Sequence, residues 1–140
     1  MINFNYESDF ELPNESQIGA WLSSVIVSEN KTEGEISYIF CDDAYLHKIN
    51  LEYLNHDTLT DIISFDYSLG NQIGGDIFIS IERVRDNAFD FKTNFSDELL
   101  RVMVHGILHY CGYSDKTPGQ EIQMRQIENN KMQMFHVKHI

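Results

Sequence analysis

Three potential metal ligands lie close together in the last third of the chain: His105, His109 and Asp115. Side chains four residues apart share one face of a helix, so both imidazoles could bind one ion. Gly112 suits the left-handed residue that commonly ends a helix, and a chain reversal there would return Asp115 as a third ligand. Two imidazoles and a carboxylate with an open fourth position are typical of catalytic zinc sites. The pattern predicts one divalent ion, most simply Zn²⁺; the alternative is two ordinary helix histidines and a turn aspartate.

The histidine pair requires a helix, which the sequence predicts between Ser96 and Cys111. Ser96 is a favourable N-cap, and Asp97 and Glu98 place negative charge in the first turn. Apolar residues then recur with the helical period at Leu99, Leu100, Met103, Val104, Ile107 and Leu108. The metal motif is therefore expected on a central helix and the turn that follows it.

The remaining elements are predicted from hydrophobic periodicity and turn residues. Strands are expected at residues 2–6 (an edge strand), 33–41, 61–67 and 76–80, with a turn at 32–34 and a glycine-rich connection at 70–75. Further helices are expected from about 14 to 30, 42 to 53, 81 to 91 and 120 to 135. Because helices lie between strands and two strands in the middle of the chain pair directly, we expect an α+β fold with one mixed sheet covered by helices. No linker or repeat divides residues 1–140, which predicts a single domain.

Composition and charge narrow the functional classes. The formal net charge is −12, from 10 basic and 22 acidic residues, which disfavours a general nucleic-acid coat protein. No apolar run is long enough to cross a bilayer, and the N-terminus lacks the basic start and apolar core of a signal peptide. Two cysteines are too few for a disulfide framework. These features predict a cytoplasmic protein without a membrane partner.

Two predicted strands carry polar residues at their starts: Thr60, Asp61 and Ser64 on one, and Asp76 on the other. A carboxylate there could accept a hydrogen bond from a ligand histidine, or the group could line a substrate groove. The alternative is that both acids form turns by hydrogen-bonding the local backbone. The other histidines are interpreted as ordinary surface or interfacial residues: His47, His56, His136 and His139.

Together these motifs resemble the YbeY family of bacterial metal-dependent endoribonucleases. The family pattern His-Gly-x-Leu-His-x-x-Gly-Tyr-Asp-His is similar to residues 105–115, and its Thr-Asp-Val-Leu-Ser-Phe and Gly-Asp-Ile-x-Ile-Ser blocks are similar to 60–65 and 75–80. Asn50, Met124 and Glu128 match further positions, in the same order. The resemblance implies ribosomal RNA maturation and ribosome quality control, with ribosomal RNA, ribosomal particles or assembly proteins as partners.

The sequence departs from the family pattern at two positions. The third histidine of the pattern aligns with Asp115, and a basic residue that usually follows a tyrosine aligns with Leu54, after Tyr53. An arginine at that place would be a natural phosphate clamp. Phosphate charge would therefore fall mainly to the metal and to another cation, with three candidates: Arg83, Arg85 and Arg101.

The expected chemistry is hydrolysis of an RNA phosphodiester by a water molecule that the ion activates. No general base can be assigned from the sequence. A zinc peptidase is a weaker alternative, because the ligand spacing resembles metzincins but Gly106 stands where those enzymes carry the glutamate base. A non-catalytic ribosome-assembly factor with a structural metal is another alternative, which Leu54 and the acidic composition favour.

Overall fold

The computed structural model describes residues 1–138 and has one four-stranded sheet with five helices. The strands are β1 (Ile2–Tyr6), β2 (Thr32–Cys41), β3 (Ile62–Asp66) and β4 (Gln72–Ser80). The helices are α1 (Glu15–Ser28), α2 (Asp43–Leu54), α3 (Ile81–Asp90), α4 (Phe95–Tyr110) and α5 (Pro118–Lys138). The sequence prediction for His139 lies outside the described residues.

The sheet is mixed, in the order β1-β2-β4-β3, with β1, β2 and β4 parallel and β3 antiparallel to β4. β1 is an edge strand, as predicted. The α+β class with one mixed sheet is thus confirmed. The part of the chain that the structure describes contains no helix long and apolar enough to span a membrane.

The larger core lies on the sheet face that α1 and α4 cover, and α5 packs against these two helices. Alternate residues of β2 and β4, such as Tyr38 and Ile77, are fully buried there because successive strand side chains point to opposite faces. The Tyr38 hydroxyl donates to the Met103 carbonyl at 2.7 Å and fastens α4 to β2. A smaller cluster on the other face includes Leu46 of α2 and packs against Phe78 of β4. The metal motif therefore lies on a helix that the core holds firmly.

Several predicted boundaries were wrong for identifiable reasons. Asn94, not Ser96, caps α4, and its side chain accepts from the Asp97 backbone at 2.8 Å. α5 begins at Pro118 because proline is tolerated at the first helical position, where no internal N–H bond is needed. The expected turn at 32–34 is the start of β2.

The glycine-rich segment at 72–75 belongs to β4 and is not a connection. Gly75 has φ +157°, and a Cβ there would overlap the Phe65 carbonyl and the Tyr110 hydroxyl. The glycine lets Tyr110 approach, and its hydroxyl reaches the carbonyl oxygens of Phe65 (2.9 Å) and Asp76 (3.1 Å). Close packing of α4 on the β3–β4 hairpin explains why glycine stands within a strand.

Candidate metal centre

The helix and turn bring the three predicted ligands together. Asp115 Oδ2 lies 3.2 Å from His105 Nε2 and 3.5 Å from His109 Nε2, and the two Nε2 atoms are 2.8 Å apart. Gly112, at φ +107°, reverses the chain after α4. The ligand atoms of a tetrahedral zinc ion lie about 3.4 Å from one another. The two separations between Asp115 and the histidines therefore already fit such an ion. These side chains form a group that could hold a metal ion.

The hydrogen bonds of the outer ring nitrogens set the tautomers of both histidines. His105 Nδ1 lies 2.6 Å from Glu128 Oε2, and His109 Nδ1 lies 3.0 Å from the Tyr113 carbonyl oxygen. A carboxylate and a carbonyl only accept, so each Nδ1 carries a proton, and Nε2 is the ring nitrogen left to bind an ion. The two Nε2 atoms and the Asp115 carboxylate converge, so a cation bound between them would interact with all three.

Glu128 of α5 joins the histidine to an arginine. Its Oε1 accepts from Arg101 Nη1 at 3.0 Å, while its Oε2 accepts from His105. Glu128 is only 5% exposed, so this pairing is largely out of water. Burial alone would lower the pKa of His105, but the Glu128 hydrogen bond and the carboxylates of Glu128, Asp115 and Asp61 raise it overall. The sequence matched Glu128 to a family position but did not show its role, because 23 residues separate it from His105.

The turn after α4 is anchored from the opposite side. The Tyr113 hydroxyl donates to Glu29 at 2.7 Å, and Lys131 pairs with the same carboxylate at 2.8 Å. Burial raises the pKa of Glu29, but its bonds to Lys131 and Tyr113 lower it overall. Tyr113 therefore orients His109 through its carbonyl and fixes the turn through its hydroxyl.

The predicted strand residues separate into three places. Asp61 lines the pocket beside His105 and Asp115, and burial is the largest cause that raises its pKa. Thr60 and Ser64 line a neighbouring groove, which meets the pocket at Ile62. Asp76 lines a groove on the α2 side of the sheet, because its neighbour Ile77 points to the α4 side.

The histidine contacts do not support the hypothesis that a strand acid holds a ligand histidine. Glu128 and the Tyr113 carbonyl take those places. Asp61 accepts instead from Asn87 Nδ2 at 3.4 Å.

Comparison with known proteins agrees with this architecture. The family profile described as "Endoribonuclease YbeY" matches residues 3–136. The chain belongs to the YbeY family. Proteins named Endoribonuclease YbeY from Flavobacterium johnsoniae and Flavobacterium psychrophilum are 67% and 66% identical to it over 138 residues, which is 99% of each chain. A third, from Christiangramia forsetii, is 58% identical over 98% of this chain and 96% of its own.

A solved structure shows the same fold. The solution structure of a Thermotoga maritima protein superposes with a TM-score of 0.63 at 21% sequence identity, covering 99% of this chain and 94% of the other. The fold of this YbeY chain is therefore one already seen in an experimentally determined structure.

The three cations considered from the sequence lie in different surroundings. Arg83 pairs with Asp43 and Asp86, and Arg85 lies 5.0 Å over the Phe95 ring, outside the pocket. Of these three arginines, only Arg101 lines the pocket beside His105 and Asp115. Leu54 lines the groove that holds Thr60 and Ser64 and contributes no charge to it.

Gly106 faces the sheet and not the metal pocket. A Cβ at this position would lie 3.0 Å from Ile77 Cδ1 and 3.4 Å from Ile62 Cδ1. In a peptidase with this ligand spacing, the residue at this position is the glutamate base. Here the same position of α4 packs against the sheet. A glutamate at this position would therefore require Ile77 to shift, and Gly106 itself has no side chain to act as a base, which argues against peptide hydrolysis.

Proposed function

We propose that the protein is a zinc-dependent endoribonuclease that acts on ribosomal RNA. The observation that carries the proposal is the convergence of three metal-ligand atoms, from His105, His109 and Asp115, with both histidine tautomers set by acceptors behind them. Its relatives are named Endoribonuclease YbeY, which supplies the reaction class. The whole chain, residues 1–140, would act as one catalytic domain in this proposal.

The chain's own residues have distinct tasks in the proposed reaction. His105, His109 and Asp115 would hold the ion, which when bound supplies Lewis-acid polarisation and lowers the pKa of a water molecule. Glu128 and the Tyr113 carbonyl keep the Nε2 lone pairs turned inward. Asp61, partly desolvated beside His105, lines the pocket into which a phosphodiester would enter. Thr60 and Ser64 would line the continuation of the substrate groove.

The decisive experiment replaces one ligand. His109→Ala should lose zinc from the purified protein and lose cleavage of a ribosomal RNA fragment, because two remaining ligands hold the ion poorly. His47→Ala is the matched control, since His47 lies on α2, bonds to Asp57 and does not belong to the three-ligand group. Cleavage that survives complete loss of metal would disprove the mechanism.

The proposed partners are ribosomal particles and their assembly proteins, and the proposed location is the cytoplasm, where a ribosome quality-control nuclease would act. The net charge of −12 and the neutral Leu54 favour one second candidate, a non-catalytic assembly factor with a structural metal. Protein that sediments with ribosomal particles but leaves RNA intact, with or without zinc, would favour that candidate. Leu54→Arg should raise cleavage by the nuclease and leave an assembly factor inactive.

A further inference from the structure

The pocket beside the candidate metal centre is lined by an arginine that forms no ion pair or side-chain hydrogen bond within residues 1–138. Within residues 1–138, the basic side chains that line this pocket are Arg101 and Arg125. We propose that Arg125, on α5, binds a phosphate of the RNA strand in the pocket. The proposal rests on the proposed function for its ligand, a single-stranded nucleic acid, but concerns a contact that can be measured without cleavage.

Arg101 is already committed to the protein. Its Nη1 donates to Glu128 at 3.0 Å and its Nη2 to Asn129 at 2.7 Å, and its side chain is only 20% exposed. Moving this group to a phosphate would leave the buried Glu128 carboxylate without its cation, which is costly. Arg101 therefore stabilises the site and is a poor candidate for substrate contact.

Arg125 is the opposite case. It is exposed and has no ion pair or side-chain hydrogen bond with any residue that the structure describes. It lies three residues before Glu128 on α5, so it shares the helix face that borders the metal centre. Its charge acts on Glu98 across the pocket: burial raises the pKa of Glu98, and Arg101 and Arg125 oppose that shift. A planar guanidinium with free N–H groups is well suited to phosphate oxygens.

The negative charge around Arg125 makes this arginine more important for phosphate binding than an average surface cation. The carboxyl groups that line the pocket outnumber its two arginines: Asp61, Glu98, Asp115, Glu121 and Glu128. Such a pocket attracts a divalent ion but repels a phosphate that the ion does not neutralise. Of the two arginines in the pocket, Arg125 is the one that can bind a phosphate without breaking an ion pair within residues 1–138.

The test compares three substitutions that each change the net charge by one unit. Arg125→Gln removes the proposed contact. Arg85→Gln removes a positive charge outside the pocket, where Arg85 lies over Phe95. Glu121→Gln removes a negative charge from the same pocket and helix, one turn from Arg125. Arg125 and Glu121 are both exposed, so their variants should fold, and a urea unfolding curve checks this.

Binding is measured on zinc-loaded protein with a fluorescent single-stranded 2′-deoxyoligonucleotide over a range of salt concentrations. We expect Arg125→Gln to weaken binding about tenfold, as for a lost charge-assisted hydrogen bond, and to lower the salt slope by about 0.7. Arg85→Gln should change the dissociation constant less than about twofold and leave the slope unchanged. Glu121→Gln should tighten binding about two- to threefold.

Two results separate this proposal from the proposed function. If Arg125→Gln and Arg85→Gln have equal effects on affinity and slope, or if the wild type does not bind the oligonucleotide, the Arg125 contact is overturned. If the wild type binds with the expected Arg125 dependence but never cleaves a ribosomal RNA fragment, the nuclease function fails and the contact stands. For a cleaving wild type, Arg125→Gln should raise KM more than it lowers kcat, which supports a substrate contact.

Discussion

The candidate metal centre has two walls that hold its histidines in different ways. The α5 wall holds His105 through Glu128, a carboxylate that is 5% exposed and also paired with Arg101. The turn wall holds His109 through the backbone carbonyl of Tyr113 and also carries Asp115, which is 39% exposed at its side chain. One wall is a buried network of charges from two helices, and the other is a partly exposed local turn.

This difference indicates where each wall is sensitive to substitution. A buried ion-paired carboxylate cannot lose a partner without leaving an uncompensated charge, so the α5 wall couples metal binding to the stability of the fold. A backbone carbonyl is present whatever the side chain, so the turn wall depends on chain conformation and on its anchor at Glu29. Substitutions in the α5 wall should therefore lower both zinc affinity and the unfolding free energy. Substitutions in the turn wall should act on these two quantities unequally.

The largest effect on zinc affinity is expected at Asp115 in the turn wall. Asp115→Ala removes a candidate ligand and should weaken zinc binding by more than about 100-fold, beyond the usual range for outer-shell substitutions. The unfolding free energy of the metal-free protein should change little, because the side chain is partly exposed. Competition with a chromophoric chelator measures the affinity. Asp115→His should retain zinc, and equal affinity of the Ala variant and the wild type would exclude Asp115 as a ligand.

The second-largest effect is expected for Glu128→Ala, which should lower both the zinc affinity and the unfolding free energy. Loss of the acceptor behind His105 should weaken zinc binding by about 10- to 100-fold. Arg101 would lose its ion-pair partner, so the unfolding free energy should fall by about 3 kcal/mol, as measured in urea. Glu128→Gln is the control, since its amide oxygen can still accept from His105. A Glu128→Ala protein that is unstable but binds zinc normally would show that Glu128 is only structural.

Gly112→Ala tests the turn conformation itself. At φ +107° a side chain strains the backbone, while no heavy atom lies within 4 Å of the added Cβ. The strain should lower the unfolding free energy by about 2 kcal/mol and weaken zinc binding several-fold through displacement of Asp115. Gly119→Ala is the matched control, because Gly119 also has open space but no positive φ. If both variants behave alike, the conformation of Gly112 is not what holds the turn.

The smallest effect is expected for Tyr113→Phe. This change removes the hydroxyl that donates to Glu29 and leaves the carbonyl that accepts from His109. The unfolding free energy should fall by about 1 kcal/mol, and zinc affinity should fall less than about threefold. Urea unfolding and chelator competition again provide the measurements. A loss of zinc binding as large as that of Glu128→Ala would mean that the two walls do not differ as described.

The sequence by itself determined the features that depend on local spacing. Helical periodicity placed His105 and His109 on one face, and Gly112 indicated the reversal that returns Asp115, because both rules act within a few residues. Helices between strands, together with the directly connected strand pair, were sufficient for the α+β class. The boundaries were less secure, since Asn94 and Ser96 are both good N-caps and the local sequence does not choose between them.

Only the tertiary structure decided which distant groups complete the site. Glu128 and Arg125 reach the pocket because α5 packs against α4, and Asp76 is excluded from it because its neighbour faces α4. Such contacts join residues far apart in the chain, and their side-chain types alone do not specify them. The sequence therefore fixes the ligand spacing through helix geometry, while the packing of two helices determines which charges surround the ion and the substrate.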